Sequence, residues 1–247
     1  MPFSRVVGLG LLLAVGAAAS AGDVGFQEAF ALARPKVVVL RVHRAQSQSL
    51  GTGFLAAQGV VLTARHVVRN ARQVEARVNG NTYPVELAYE ESAQDLAALV
   101  FRKDDLLMKP LALADSRELA PGDPLLIVTT QAARPGANAE TEQRLAIPAI
   151  LYRRALKRGP TAAPGPQLVL QTRVERGDSG APVLRISDGA VVGLLISREL
   201  PDEEDVSRLA YAIPAEVAAP QVARAAGQIP IAAGALGEFY LIPLARP

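Results

Sequence analysis

The 247-residue chain has no cysteine, no tryptophan, two methionines and two histidines, and aromatic residues make up 4% of it. Without cysteine no disulfide can form, so packing and hydrogen bonding alone must hold the fold. With only His43 and His66 as imidazoles and no thiolate, a zinc site of the usual His/Cys kind is all but excluded. No metal or cofactor is expected. A field of one charge sign is also lacking, since 26 Lys and Arg stand against 24 Asp and Glu, a formal +2. That balance argues against nucleic acid as the main partner. The one cationic cluster, Arg153, Arg154, Lys157 and Arg158, has Tyr152 as its only interleaved aromatic and reads as a solvated loop.

Long hydrophobic runs are confined to the start of the chain. Arg5 precedes an apolar stretch from Val6 to about Ala19, and the small residues Ala19, Ser20 and Ala21 follow. This three-part layout predicts a secretory signal peptide over 1–21, cut after Ala21, with no stable membrane insertion once it is removed. A retained anchor is the other reading, and it must contend with a run shorter than the ~20 residues that span a bilayer.

What the chain has in quantity is apolar residues, half of the total, with 20 glycines and 18 prolines. That is enough to bury one large core or two modest ones. Residues 26–33 predict a short helix ended by Pro35. Short apolar or alternating runs follow at 37–42, 53–57, 60–63, 74–78, 85–89 and 96–101. A second series runs at 125–129, 145–151, 168–172, 183–186, 191–196 and 209–213. Many short strands at this spacing predict an all-β sandwich or barrel in two halves, joined by the turn-prone stretch Asp115 to Asp123. The stretches Gln131 to Arg144 and Arg158 to Pro166, rich in Ala, Gly and Pro, read as surface loops. After Pro214 an Ala-rich segment predicts a short helix to Gly227 that Pro220 either starts or breaks, and 239–244 reads as a last strand.

Three segments carry the residues that acyl transfer needs. In GTGFLAAQGVVLTARHVV a buried strand runs into His66, whose imidazole exchanges protons near neutral pH. In SAQDLAALVF, Asp95 opens an apolar strand, and a partly buried carboxylate requires a partner such as an imidazole N–H. In ERGDSGAPVL, Gly177 and Gly180 flank Ser179 so that the backbone can turn tightly and expose the hydroxyl.

In this order, and with GTGFL, LTARHVV, DLAAL, GDSGAPV, VVGLLIS and LAYAIP in sequence, the chain resembles the trypsin/chymotrypsin family, closest to its bacterial heat-shock branch. The resemblance covers about 37–214. It implies two six-stranded β-barrels over 22–120 and 121–214, followed by a C-terminal helix and tail at 215–247. It also implies a serine endopeptidase in which Ser179 is the nucleophile, His66 its base and Asp95 the carboxylate that orients the base. The N–H groups of Gly177 and Ser179 would form the oxyanion hole. Leu195, Ile196 and Ser197 would line the substrate backbone, with Arg173 near the primary pocket and a polypeptide as the partner. The acidic run Glu199, Asp202, Glu203, Glu204 and Asp205 would favour cationic substrates, or would simply be a solvated loop. The segment after Pro214 is too short for the peptide-binding PDZ domain common in that branch.

One departure stands out. Asp178 replaces the asparagine usual before the serine in the heat-shock branch, and is expected either to be buried against a cation or to be exposed. A catalytically silent binding or scaffold protein on the same barrels is the rival reading. An esterase on an α/β-hydrolase fold is disfavoured because the serine comes last. No pattern sets an oligomeric state.

Overall fold

A computed structural model describes residues 25–101, 108–131, 143–159, 162–198 and 209–227. The leader expected at 1–21, the acidic run at 199–205 and the strand expected at 239–244 lie outside the described residues.

The chain opens with helix α1 (Phe26–Ala33) and a 3-10 turn (Arg34–Lys36) that accommodates Pro35 near its start. Six strands follow: β1 (Val37–His43), β2 (Gln48–Ala57), β3 (Val60–Ala64), β4 (Gln73–Val78), β5 (Asn81–Glu91) and β6 (Leu96–Phe101). They close an antiparallel barrel in the order β1-β2-β3-β6-β5-β4. The single-turn helix α2 (Arg65–Val68) leaves the end of β3. The second barrel contains β7 (Pro124–Gln131), β8 (Gln143–Gly159), β9 (Ala162–Gln171), β10 (Pro182–Arg185), β11 (Val191–Arg198) and β12 (Leu209–Pro214), closed as β10-β11-β12-β9-β8-β7. The expected pair of six-stranded barrels is therefore present.

β3 is buried along its whole length and β6 at every position but Val100, so neither reads as an alternating strand. The cause is cover on both faces. The barrel interior takes one set of side chains, and helix α3 (Ala215–Ala226) and the second barrel cover the other. Ala218, Val222 and Ala225 of α3 join a core shared by the first barrel and by Leu126, Leu194 and Ile213 of the second, although the helix follows the last strand of the second. In the reverse sense, α1 contacts β7, and Leu32 of α1 lies over Gly189 in the β10–β11 turn.

Three sequence expectations need correction. Pro220 neither starts nor breaks α3 but lies inside it. The residue forfeits one backbone hydrogen bond, and the buried alanine and valine face carries the helix through. Arg158 to Pro166 is not a surface loop where it is described, because the β8–β9 ladder extends to Gly159↔Ala162. Pro164 and Pro166 share a parity, and β9 pairs with β12 only from Leu168 onward, so one free edge can take both missing N–H groups. Arg153 and Arg154 likewise belong to strand β8 rather than a loop, and Arg154 donates to the Ser116 hydroxyl at 3.0 Å beside Glu216 of α3.

The segment between the barrels carries its own staple. Asp115 accepts from the Arg117 N–H at 2.8 Å and from its guanidinium, which holds the carboxyl at about 2. Because the folded value is depressed, this contribution to stability is complete above the ordinary carboxylate range and is lost as the pH falls toward 2. Carbon-detected NMR titration should place the Asp115 midpoint near 2, and Arg117→Ala should raise it toward the ordinary range, while the residue 117 backbone N–H still holds it somewhat low.

Candidate functional site

His66 lies in α2, just past the buried strand β3. Asp95 ends the turn that leads into β6, and β3 pairs with β6 from Val60↔Val100 to Ala64↔Leu96. That register puts the two residues side by side although 29 positions separate them. His66 Nδ1 and Asp95 Oδ2 are 2.6 Å apart, and Asp95 Oδ1 accepts the His66 backbone N–H at 2.9 Å. The Asp95 carbonyl accepts the Arg65 N–H at 2.8 Å. Asp95 has φ 55°, a left-handed conformation that aspartate tolerates better than most residues and that aims its carboxylate back at the imidazole.

The far end of α2 is braced as well. Arg44, from the β1–β2 connection, donates to the Val67 carbonyl at 2.7 Å and to the Arg69 carbonyl at 3.1 Å. A four-residue helix cannot satisfy its own last carbonyls, so a guanidinium at that end fixes the turn that bears His66.

Ser179 follows a turn in the second barrel closed by the Asp178 N–H on the Glu175 carbonyl at 3.3 Å. Gly177, third in that turn, has φ 101°, which a β-carbon would disfavour. Asp178 is buried at 5% exposure, so the exposed reading is excluded. Its carboxylate accepts the Thr129 hydroxyl at 2.7 Å and the Glu175 N–H at 2.6 Å. Ser179 Oγ donates to the Ile196 carbonyl at 3.3 Å. Among the described residues it makes no hydrogen bond to His66.

Gly180 has φ 91°, and a β-carbon there would lie 1.9 Å from the Thr52 carbonyl oxygen and 2.4 Å from Thr63 Oγ1. Gly180→Ala is expected to cost about 2–6 kcal/mol, combining backbone strain with overpacking. Urea denaturation of the variant measures it.

The other expected site residues lie nearby with different exposures. β11 pairs with β10 as far as Leu194, Leu195 still exchanges backbone hydrogen bonds with Gly180 and Ala181, and beyond it, among the described residues, β12 is the one neighbouring strand. Leu195 and Ile196 are buried, and Ile196 is the extra residue of a bulge between Leu195 and Ser197. The open edge thus begins beside Ser179. Arg173 is exposed at the end of the segment leading into the Ser179 turn. Sequence reading missed Arg44 and a group of buried threonines, Thr52, Thr63, Thr129 and Thr130, that join the barrels beneath the serine. The only signal was Thr52 itself, enclosed by two glycines in the GTG triplet.

Two closed antiparallel barrels, with an imidazole–carboxylate pair from one and a glycine-flanked serine from the other, define the chymotrypsin class of architecture. The chain belongs to the trypsin-like peptidase domain family, whose model matches residues 51–194. It is 32% identical over 178 residues to the serine endoprotease DegS of Haemophilus influenzae, across 70% of this chain and 49% of that protein. The chain therefore spans about half the length of that relative. Among solved structures it is similar to the active form of the Rv3671c protease from M. tuberculosis, with a TM-score of 0.68 and 23% identity over 91% of this chain and 92% of that one. It is also similar to the HtrA-type protease AlgW bound to a tripeptide, with a TM-score of 0.68 and 20% identity over 83% of this chain and 65% of that one. These structural likenesses concern the fold.

Proposed function

We propose that the chain is an exported serine endopeptidase that cleaves polypeptides through an acyl-enzyme on Ser179. The observation that carries this reading is the 2.6 Å pairing of His66 Nδ1 with Asp95 Oδ2 across the β3–β6 ladder. With Nδ1 donating to the carboxylate, the lone pair of Nε2 is left to act as base. The Ser179 hydroxyl gives up its bond to the Ile196 carbonyl and turns toward Nε2 as substrate arrives, since such contacts commonly tighten only in the loaded complex. Its oxygen attacks the scissile carbonyl, and the proton passes to His66 and then to the leaving amine. Water repeats the cycle on the ester. The N–H groups of Gly177 and Ser179 receive the oxyanion; among the described residues neither has an acceptor.

The substrate backbone adds to the open edge of β11 at Ile196 and Ser197, as extended peptides add to free sheet edges. Arg173 borders the primary pocket. Export rests on the tripartite layout of 1–21. Among the described residues no helix is long and apolar enough to cross a membrane.

A fluorophosphonate probe tests the reading. Labelling mapped by mass spectrometry to Ser179, together with cleavage of unfolded casein, is the expected result. Absence of both from pH 6 to 9 would favour a silent scaffold, and ester turnover without peptide turnover would favour an esterase.

A further inference from the structure

The buried threonines form a directed chain across the barrel junction. Thr52, in β2 of the first barrel, is fully buried. Its hydroxyl donates to the Gly177 carbonyl at 2.8 Å, and its backbone N–H donates to the Ser179 carbonyl at 3.2 Å. Its own carbonyl accepts the Thr63 hydroxyl at 2.7 Å, and Thr63 lies in β3, three residues before His66. Proton bookkeeping fixes the direction of the rest. Thr129 gives its proton to Asp178 at 2.7 Å, and Thr52 gives its proton to Gly177. The 2.8 Å contact between Thr52 and Thr130 must therefore run from the Thr130 hydroxyl, and the Thr130 N–H also approaches Thr52 Oγ1 at 3.3 Å.

One residue of the barrel that carries His66 thus holds, through two different donors, both residues whose N–H groups face the developing oxyanion. We infer that Thr52 is a positioning residue: its hydroxyl on the Gly177 carbonyl sets the Gly177 N–H relative to the Ser179 N–H and to the base. The inference rests on the peptidase reading given above. Thr52 touches no reacting atom. It acts by fixing the frame from which Gly177 donates, where a displacement of about 1 Å can cost roughly 100-fold in rate. Thr52 itself is fully buried, so removing its hydroxyl leaves the Gly177 carbonyl without a donor on the side facing the first barrel, and the turn can shift to find another.

The test is a comparison of Thr52→Val, which keeps the shape and the backbone N–H but removes the hydroxyl, with Thr52→Ser, which restores it. Turnover is referred to the active-site count from fluorophosphonate titration, so an unfolded fraction does not enter. Thr52→Val should lower kcat about 10- to 100-fold with KM nearly unchanged. Its affinity for a peptide aldehyde, whose adduct carries the oxyanion, should fall in the same ratio. Thr52→Ser should recover most of both. Should Thr52→Val fail to fold, Thr130→Val carries the test. It removes the donor that orients the Thr52 proton and should lower kcat and aldehyde affinity together by a few-fold. Wild-type kcat in the Val variant, equal losses in Val and Ser, or a loss in KM alone would overturn the proposal while leaving the peptidase reading intact. A wild-type protein that neither labels nor turns over peptide would remove the peptidase reading itself.

Discussion

Replacing Ser179 with alanine is expected to lower peptide turnover by roughly 10⁶-fold, the scale of loss when a serine protease loses its nucleophile. The substitution removes one oxygen whose described hydrogen bond is a 3.3 Å contact to the Ile196 carbonyl, so little structural cost accompanies it. The Thr52 N–H bond to the Ser179 carbonyl and the Gly180 N–H bond to the Leu195 carbonyl involve only backbone and survive. The variant should therefore melt near the wild-type temperature and still bind peptide, which calorimetry and a peptide-binding isotherm would check. Retention of even 1% of the turnover would place the nucleophile elsewhere.

The second large effect is expected at Asp95. Asp95→Asn keeps the shape and can keep the 2.9 Å bond from the His66 backbone N–H, but it exchanges an acceptor for an amide opposite Nδ1. The imidazole then favours the tautomer with its proton on Nε2, where it cannot accept from Ser179. Turnover should fall by roughly 10⁴-fold. Because Ser179 and the hole donors are untouched, fluorophosphonate labelling should slow without vanishing, and raising the pH should recover part of it. Kinetics of labelling from pH 6 to 10 separate this outcome from misfolding, which would reduce the labelled fraction instead of the rate. An Asp95→Asn enzyme of wild-type rate would mean that the carboxylate serves only to hold the turn.

The legibility of this site in sequence was uneven, and the reasons are physical. The strands were readable because burial selects apolar runs and turns select Gly, Asn and Pro, so both sets of six were anticipated, although with shorter bounds than β2, β8 and β9 have. His66, Asp95 and Ser179 could be nominated from sequence because the chemistry proposed for them demands particular residue types next to particular backbone shapes. The Asp95 to β6 transition, for example, couples a carboxylate to a fully apolar strand. Thr52 was not readable in the same way. A threonine between glycines in a strand is ordinary, and nothing local reveals that its hydroxyl meets a carbonyl 125 residues further on. Pro220 and the Pro164–Pro166 pair misled for the opposite reason. Proline is judged by local backbone cost, yet tertiary packing of Ala218, Val222 and Ala225 in one case, and a one-sided ladder in the other, decided the outcome.

The exchange of helices between the two barrels bears on how the molecule comes into being. The core shared between the barrels is not complete until residues 215–226, which follow all of the strands in the chain, have arrived. The second barrel in turn leans on a helix made before it. A nascent chain therefore has no stage at which one half is finished and the other pending. His66 and Ser179 sit on separate barrels, and α3 packs against strands of both, so the helix helps to hold together the two halves that carry them. For the same reason a single break between the barrels need not release either half, since each would still grip a piece of the other.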